Sequence, residues 1–73
     1  MATYREGFLK RKPRPSKQDV LFLAWVDEVE LMVQKELGIG LVELTDMPYY
    51  VSFENGVTAA RMAKRVIASA LDY

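Results

Sequence analysis

Hydrophobic residues recur with helical spacing through the middle of the chain. The members of this stripe are Phe22, Trp25, Val26, Val29, Met32, Val33 and Leu37. Apolar positions three or four residues apart lie on one face of a helix. Ser16 and Asp19 have the spacing of a capping box, and Gly38 supplies a helix stop. The pattern therefore predicts a long helix over residues 17–37.

The same spacing returns near the carboxyl end of the chain. The apolar positions there are Ala59, Met62, Ala63, Val66, Ile67 and Ala70. Thr58 can cap a helix that begins with them, and polar or charged residues fill most of the opposite face. This segment is the clearest amphipathic helix that the sequence predicts.

The segment between these two helices, residues 46–54, has mixed signals. It is rich in Tyr, Val and Phe, which prefer β-strands. Against a strand, Thr45 or Asp46 can cap a helix, Pro48 is tolerated in a first helical turn, and Gly56 can end it. We favour a short helix, with a strand as the alternative.

Charge is divided along the chain, although the formal net charge is zero. Residues 1–17 contain six basic residues and one acidic residue, whereas the remainder contains four basic and nine acidic residues. Pro13 and Pro15 favour an extended backbone between these parts. We therefore predict a flexible basic arm over residues 1–16 and a compact all-α domain over residues 17–73, with one long, one short and one medium helix.

The long helix carries more apolar residues than one stripe uses. The additional residues are Val20, Leu21, Ala24 and Leu31. A helix that is apolar on two sides is buried on both sides or exposes an adhesive patch. Because two shorter helices can hardly cover both sides, we predict that these residues contact a second copy of the chain or another protein. The alternative is that the arm folds back over them through Tyr4, Phe8 and Leu9.

Composition restricts the available chemistry. The sequence has no Cys and no His, which excludes thiol nucleophiles, imidazole bases and zinc sites built from those residues. The acidic group of Asp27, Glu28 and Glu30 is interpreted as a solvated helix face. We therefore predict a protein that is not an enzyme, with no catalytic residue, metal site, cofactor or small-molecule ligand.

Cellular location is predicted from the length of apolar runs. The longest run, from Val20 to Val26, has seven residues. A helix that spans a bilayer needs about 20. We therefore predict a cytoplasmic protein that does not contact membranes.

The basic residues suggest an alternative function as an accessory nucleic-acid-binding protein. The candidate residues are Lys10, Arg11, Lys12 and Arg14 in the arm and Arg61, Lys64 and Arg65 on the last predicted helix. Clustered lysine and arginine side chains neutralise phosphates and release counterions. The acidic remainder of the chain opposes this function, because it repels a polyanion.

Several short motifs occur together between residues 22 and 70. They are Trp25-Val26-Asp27, Gly38, Glu43-Leu44-x-Asp46, a tyrosine at Tyr49 or Tyr50, Phe53-Glu54-x-Gly56-Val57-Thr58, and Ala63. This set resembles small uncharacterised helical proteins of bacterial and phage genomes. The resemblance excludes the arm, and it implies a compact helical fold without an assigned activity.

Overall fold

A computed structural model of the protein describes residues 3–44 and 46–71. The elements are α1 (Tyr4–Arg11), α2 (Lys17–Leu37), a 3-10 turn (Leu41–Glu43), α3 (Tyr49–Glu54) and α4 (Ala59–Leu71). The described residues contain no β-strand, so the all-α prediction is confirmed. Helix α2 is central, because α1, α3 and α4 all pack against it and α4 does so most extensively.

Both ends of α2 form as the sequence predicts. The Ser16 hydroxyl accepts a hydrogen bond from the Asp19 N–H at 3.2 Å, and the Asp19 carboxylate accepts from the Ser16 N–H at 3.0 Å. At the other end, Gly38 has a φ of 73°, and its N–H donates to the Gln34 carbonyl at 2.8 Å. The capping box and the left-handed glycine therefore define a helix of 21 residues.

The short element after the 3-10 turn is a helix, but it begins later than predicted. Pro48, and not Asp46, precedes its first residue, while the alternative cap Thr45 lies outside the described residues. Pro48 has φ −75° and ψ 67°, and the Tyr49 N–H donates to the Met47 carbonyl at 2.8 Å. This is an inverse γ-turn, which occupies the residues that the prediction placed in the first helical turn.

The core lies between α2, α3 and α4. Its buried residues are Phe22, Leu23, Val26, Val29, Val33, Leu41, Tyr49, Ala59, Met62, Ala63 and Val66. The ring of Phe22 is fully buried and lies within 6.0 Å, centroid to centroid, of five other aromatic rings. Those rings belong to Tyr4, Phe8, Trp25, Tyr50 and Phe53. Phe22 is therefore the centre of an aromatic cluster to which α1, α2 and α3 all contribute.

The amino-terminal segment differs from the predicted flexible arm. Helix α1 occupies most of it and runs antiparallel to α2. The N–H of Tyr4 lies 3.2 Å from the Glu30 carboxylate, whereas Lys12, which follows α1, lies 2.7 Å from Asp19. Neither the flexible arm nor the three-helix count is confirmed, since the described residues form four α-helices.

Packing explains why this segment is ordered. Thr3 caps α1, because its hydroxyl accepts from the Glu6 N–H at 3.2 Å. An isolated helix of eight residues is marginal in water. The partly buried side chains of Tyr4, Phe8 and Leu9 pack against the core and stabilise α1.

No helix in the described part of the chain is long and apolar enough to cross a membrane.

Candidate functional site: the outer face of α2

The residues predicted to contact a partner lie on the side of α2 that faces solvent. Val20 is 53%, Leu21 64% and Leu31 59% exposed, and Ala24 is exposed as well. Around the helix axis these four residues span about 100°. They lie opposite the stripe that α2 buries in the core. We call Val20, Leu21, Ala24 and Leu31 the outer face.

Helix α1 does not cover the outer face. Tyr4 and Phe8 turn towards the aromatic cluster, where their rings lie 6.0 Å and 5.5 Å from that of Phe22. The amino-terminal segment does fold back on α2, as the alternative prediction supposed, but onto a different flank. The large apolar side chains of the outer face therefore stay exposed in the single chain.

An ion pair marks the border between α1 and the outer face. The Arg5 guanidinium contacts the Asp27 carboxylate at 2.8 Å, and both side chains are 42% exposed. Asp27 lies about 20° from Val20 around α2. An exposed pair contributes about 0–1 kcal/mol to stability. The pair therefore adds little to stability and shows where α1 borders the outer face.

A buried carboxylate holds the other end of α1. Asp19 is 1% exposed and accepts from the Lys12 ammonium and the Tyr50 hydroxyl, each at 2.7 Å, as well as from the Ser16 N–H. Lys12 first, and then the other donors, hold the pKa of Asp19 well below its ordinary value of 3.8. The bond to Asp19 raises the pKa of Tyr50 to about 12. This network fixes α1, α2 and α3 relative to one another.

A second buried carboxylate joins three elements. Glu30 is 5% exposed, and it accepts from the N–H of Tyr4 at 3.2 Å and from the N–H of Leu41 at 2.9 Å. It therefore caps both α1 and the 3-10 turn. The interpretation of Glu30 as part of a solvated face is wrong. The helical register contained the signal, because Glu30 falls between Leu23 and Val26 around α2, on its buried side.

The basic residues of the alternative function lie on two flanks of α2. Those of the first flank are Lys10, Arg11, Lys12 and Arg14, and those of the second are Arg61, Lys64 and Arg65 on α4. The segment that carries the first group contacts α2 at Asp19 through Lys12 and at Glu30 through the N–H of Tyr4. The chain enters α4 beside Trp25, whose indole N–H donates to the Val57 carbonyl at 2.9 Å. Trp25 lies about 120° or more from those acidic residues around α2, so the two basic groups do not form one patch.

The motifs shared with small helical proteins occupy caps, turns and packing positions in this fold. Gly38 ends α2, Gly56 turns the chain with a φ of 78°, and Thr58 accepts from the first turn of α4. Residues at such positions determine a fold and do not identify a chemical activity. Comparisons with protein-family models, with curated proteins and with solved structures give no match.

Proposed function

We propose that the protein is a small non-enzymatic interaction module that associates through the outer face of α2, and that its partner is a second copy of the chain. The observation that carries the proposal is the exposure of three large apolar side chains, Val20, Leu21 and Leu31, on one helix face. Covering apolar surface is favourable by about 25 cal/mol per Å². A partner helix that packs on this face would gain that free energy.

The charges beside the outer face favour a second copy. Lys17 and Glu28 are exposed and lie about 20° apart around α2, with Leu21 and Ala24 between them along the chain. If two α2 helices cross antiparallel with the two-fold axis between residues 22 and 23, each Lys17 faces Glu28 of the other copy. The same register places Leu21 against Ala24, whose small side chain allows close approach. One rotation therefore pairs these charges and brings Leu21 against a small residue. In this register Leu31 lies beside the residues that precede α2 in the other copy, near residue 14.

The area of the outer face determines how strong a dimer we expect. One helix face supplies less area than the roughly 800 Å² per partner of a standard interface. Association also has to overcome the loss of translational and rotational freedom. We therefore expect a weak dimer whose population depends on protein concentration.

Sedimentation equilibrium tests the proposal with a matched pair of variants. Leu21 and Leu71 are 64% and 65% exposed, but only Leu21 belongs to the outer face. The wild-type mass should rise from 8.4 kDa towards twice that value as concentration increases from about 10 μM to about 1 mM. Leu21→Asp should remain monomeric, whereas Leu71→Asp should behave as wild type. A wild-type protein that stays monomeric, or equal effects of both substitutions, would refute the proposal.

Charge reversal tests the antiparallel register. Lys17→Glu and Glu28→Lys should each weaken the dimer, because each places like charges opposite each other. The double variant should recover most of the wild-type affinity. Independent, additive losses of affinity in the double variant would contradict this register. They would not contradict association through the outer face, which the comparison of Leu21→Asp with Leu71→Asp tests.

The nucleic-acid alternative has less support from the geometry. Lys12 is already paired with buried Asp19, and the other basic residues are divided between two flanks. A phosphate backbone would therefore meet two small basic groups separated by α2.

A further inference from the structure

A cleft of about 590 Å³ lies between α1 and the segment that connects the 3-10 turn to α3. Tyr4, Lys10 and Arg11 line it from α1, and Val42, Tyr49 and Val51 line it from the opposite side. Its volume falls in the range of small-molecule sites, about 300–1,000 Å³. The residues of the outer face do not line it, so the cleft is separate from the surface proposed for association.

One residue of the cleft lining, Tyr49, carries an unsatisfied buried hydroxyl. Tyr49 is 2% exposed, and its hydroxyl has no hydrogen-bond partner among the described residues. Burial of such a group without a partner is unfavourable, and most buried polar atoms in proteins are bonded. Burial raises the pKa of Tyr49 to about 12, with smaller contributions from Tyr4, Asp46 and Glu30. The hydroxyl is therefore a proton donor at neutral pH that lacks an acceptor.

The cleft combines apolar edges with positive charge. Val42 and Val51 are 53% and 55% exposed, and both belong to its lining. Lys10 and Arg11 lie in the last turn of α1, and Asp46 is the acidic residue in the lining. Within the lining, two cations face one carboxylate, so the balance is positive. Buried Glu30 lies behind the lining, and its charge, which also acts on Tyr49, is bonded by the N–H groups of Tyr4 and Leu41. A molecule with an apolar body and an anionic head complements this surface.

We propose that the cleft binds a small molecule with an apolar chain and a carboxylate group. The apolar chain of the ligand packs between Val42 and Val51. Its carboxylate is held by Arg11 and accepts a hydrogen bond from the Tyr49 hydroxyl. The Tyr49 hydroxyl exposes less than 1 Å², so a neighbouring side chain has to move before the carboxylate reaches it. We assign this movement to Tyr4, whose ring lies 5.2 Å from that of Tyr49 and is only partly buried, at the first residue of α1. The movement gives up the contact of Tyr4 with Phe22. This proposal is opposed to the sequence analysis, which predicted no small-molecule ligand.

An NMR titration of the ¹⁵N-labelled full chain tests the proposal, with decanoate as the probe and decyltrimethylammonium as the matched cation. Decanoate should give saturable shift changes at Lys10, Tyr49 and Val51, and the cation should not. Tyr49→Phe should weaken decanoate binding about fivefold to tenfold, since one hydrogen bond is lost. The same substitution should leave the urea midpoint unchanged or raise it, because it removes an unsatisfied hydroxyl. Arg11→Gln should weaken binding, whereas Arg65→Gln on α4 should not.

Three results would overturn the proposal. The first is equal binding of the cation and decanoate, which would show that only the apolar chain is recognised. The second is a set of decanoate shifts that maps to the outer face of α2 and not to the cleft. The third is unchanged decanoate affinity in a folded Tyr49→Phe variant. Failure of any of these tests leaves the dimer proposal intact, because self-association is measured without a probe.

Discussion

Substitution of Glu30 tests how the carboxylate holds α1 and the 3-10 turn on α2. In Glu30→Ala the N–H groups of Tyr4 and Leu41 both lose their acceptor. An unsatisfied buried donor costs about 1–3 kcal/mol. The Leu41 N–H is buried, whereas water can reach the partly buried N–H of Tyr4, so the second loss is smaller. We expect a total of about 2–4 kcal/mol.

Two further variants separate the hydrogen bonds from the charge. Glu30→Gln keeps one acceptor oxygen but turns an amide NH₂ towards the other N–H, so we expect a loss of about 1–2 kcal/mol. Glu36→Gln removes the same charge from an exposed position on the same helix, away from the outer face, and should change stability by less than about 0.5 kcal/mol. Urea unfolding followed by circular dichroism measures all three. Equal stability of Glu30→Gln and Glu36→Gln would refute the capping role.

Gly40 provides a second test of the same contact. A Cβ atom at this residue would lie 2.9 Å from Oε2 of Glu30. That oxygen is held by the Leu41 N–H and cannot retreat without loss of the bond. Gly40→Ala should therefore destabilise the wild type more than it destabilises the Glu30→Ala variant. Equal costs of Gly40→Ala in the two backgrounds would contradict the close approach.

Other predictions follow from the buried network and from α1. The low folded-state pKa of Asp19 stabilises the protein above about pH 4, and this contribution is lost as pH falls, so the difference in urea midpoint between wild type and Asp19→Asn should shrink from pH 7 to pH 3. A difference in urea midpoint that is the same at pH 7 and pH 3 would contradict this role of Asp19. In an alkaline absorbance titration, Tyr49 and Tyr50 should ionise near pH 12, with stability falling as pH rises from about 10. Ionisation of all tyrosines near pH 10 would be the contrary result. Phe8→Ala should cost about 1–3 kcal/mol, because it removes a partly buried ring of the aromatic cluster; an unchanged urea midpoint would show that α1 adds little stability.

The sequence predicts α2 and α4 because local signals and tertiary packing agree there. Ser16, Asp19 and Gly38 define the ends of α2 before any packing is considered. Helix α4 has a continuous apolar stripe, and its buried residues are the ones that the spacing selects. Local periodicity is sufficient to predict a helix where the apolar stripe coincides with the face that the core covers.

Helix α1 is harder to predict because its local signals are weak. Thr3 and Glu6 do have the spacing of a capping box, which is the signal that could have revealed it. Gly7 lies in its middle and lowers helix propensity, and eight residues form too short a helix to be stable alone. The ring of Phe22, which is distant in sequence, supplies the packing that orders α1.

Tyr49 and Tyr50 show a different limit. Two adjacent helical residues point about 100° apart, so one of them can be buried while the other remains at the surface. Tyr49 is buried, but Tyr50 also turns inward and donates to Asp19. The buried position of Asp19 depends on the arrival of Lys12 and Tyr50 from other elements. Spacing within one helix contains no information about those partners.

The most direct test of the association surface is a pair of amide NMR spectra of the wild-type chain, recorded at about 20 μM and about 1 mM. Dimerisation through the outer face predicts shift changes from Lys17 to Leu31, concentrated at Leu21, Ala24 and Glu28, with α4 unchanged. Identical spectra at the two concentrations, or changes centred on α4, would contradict the account.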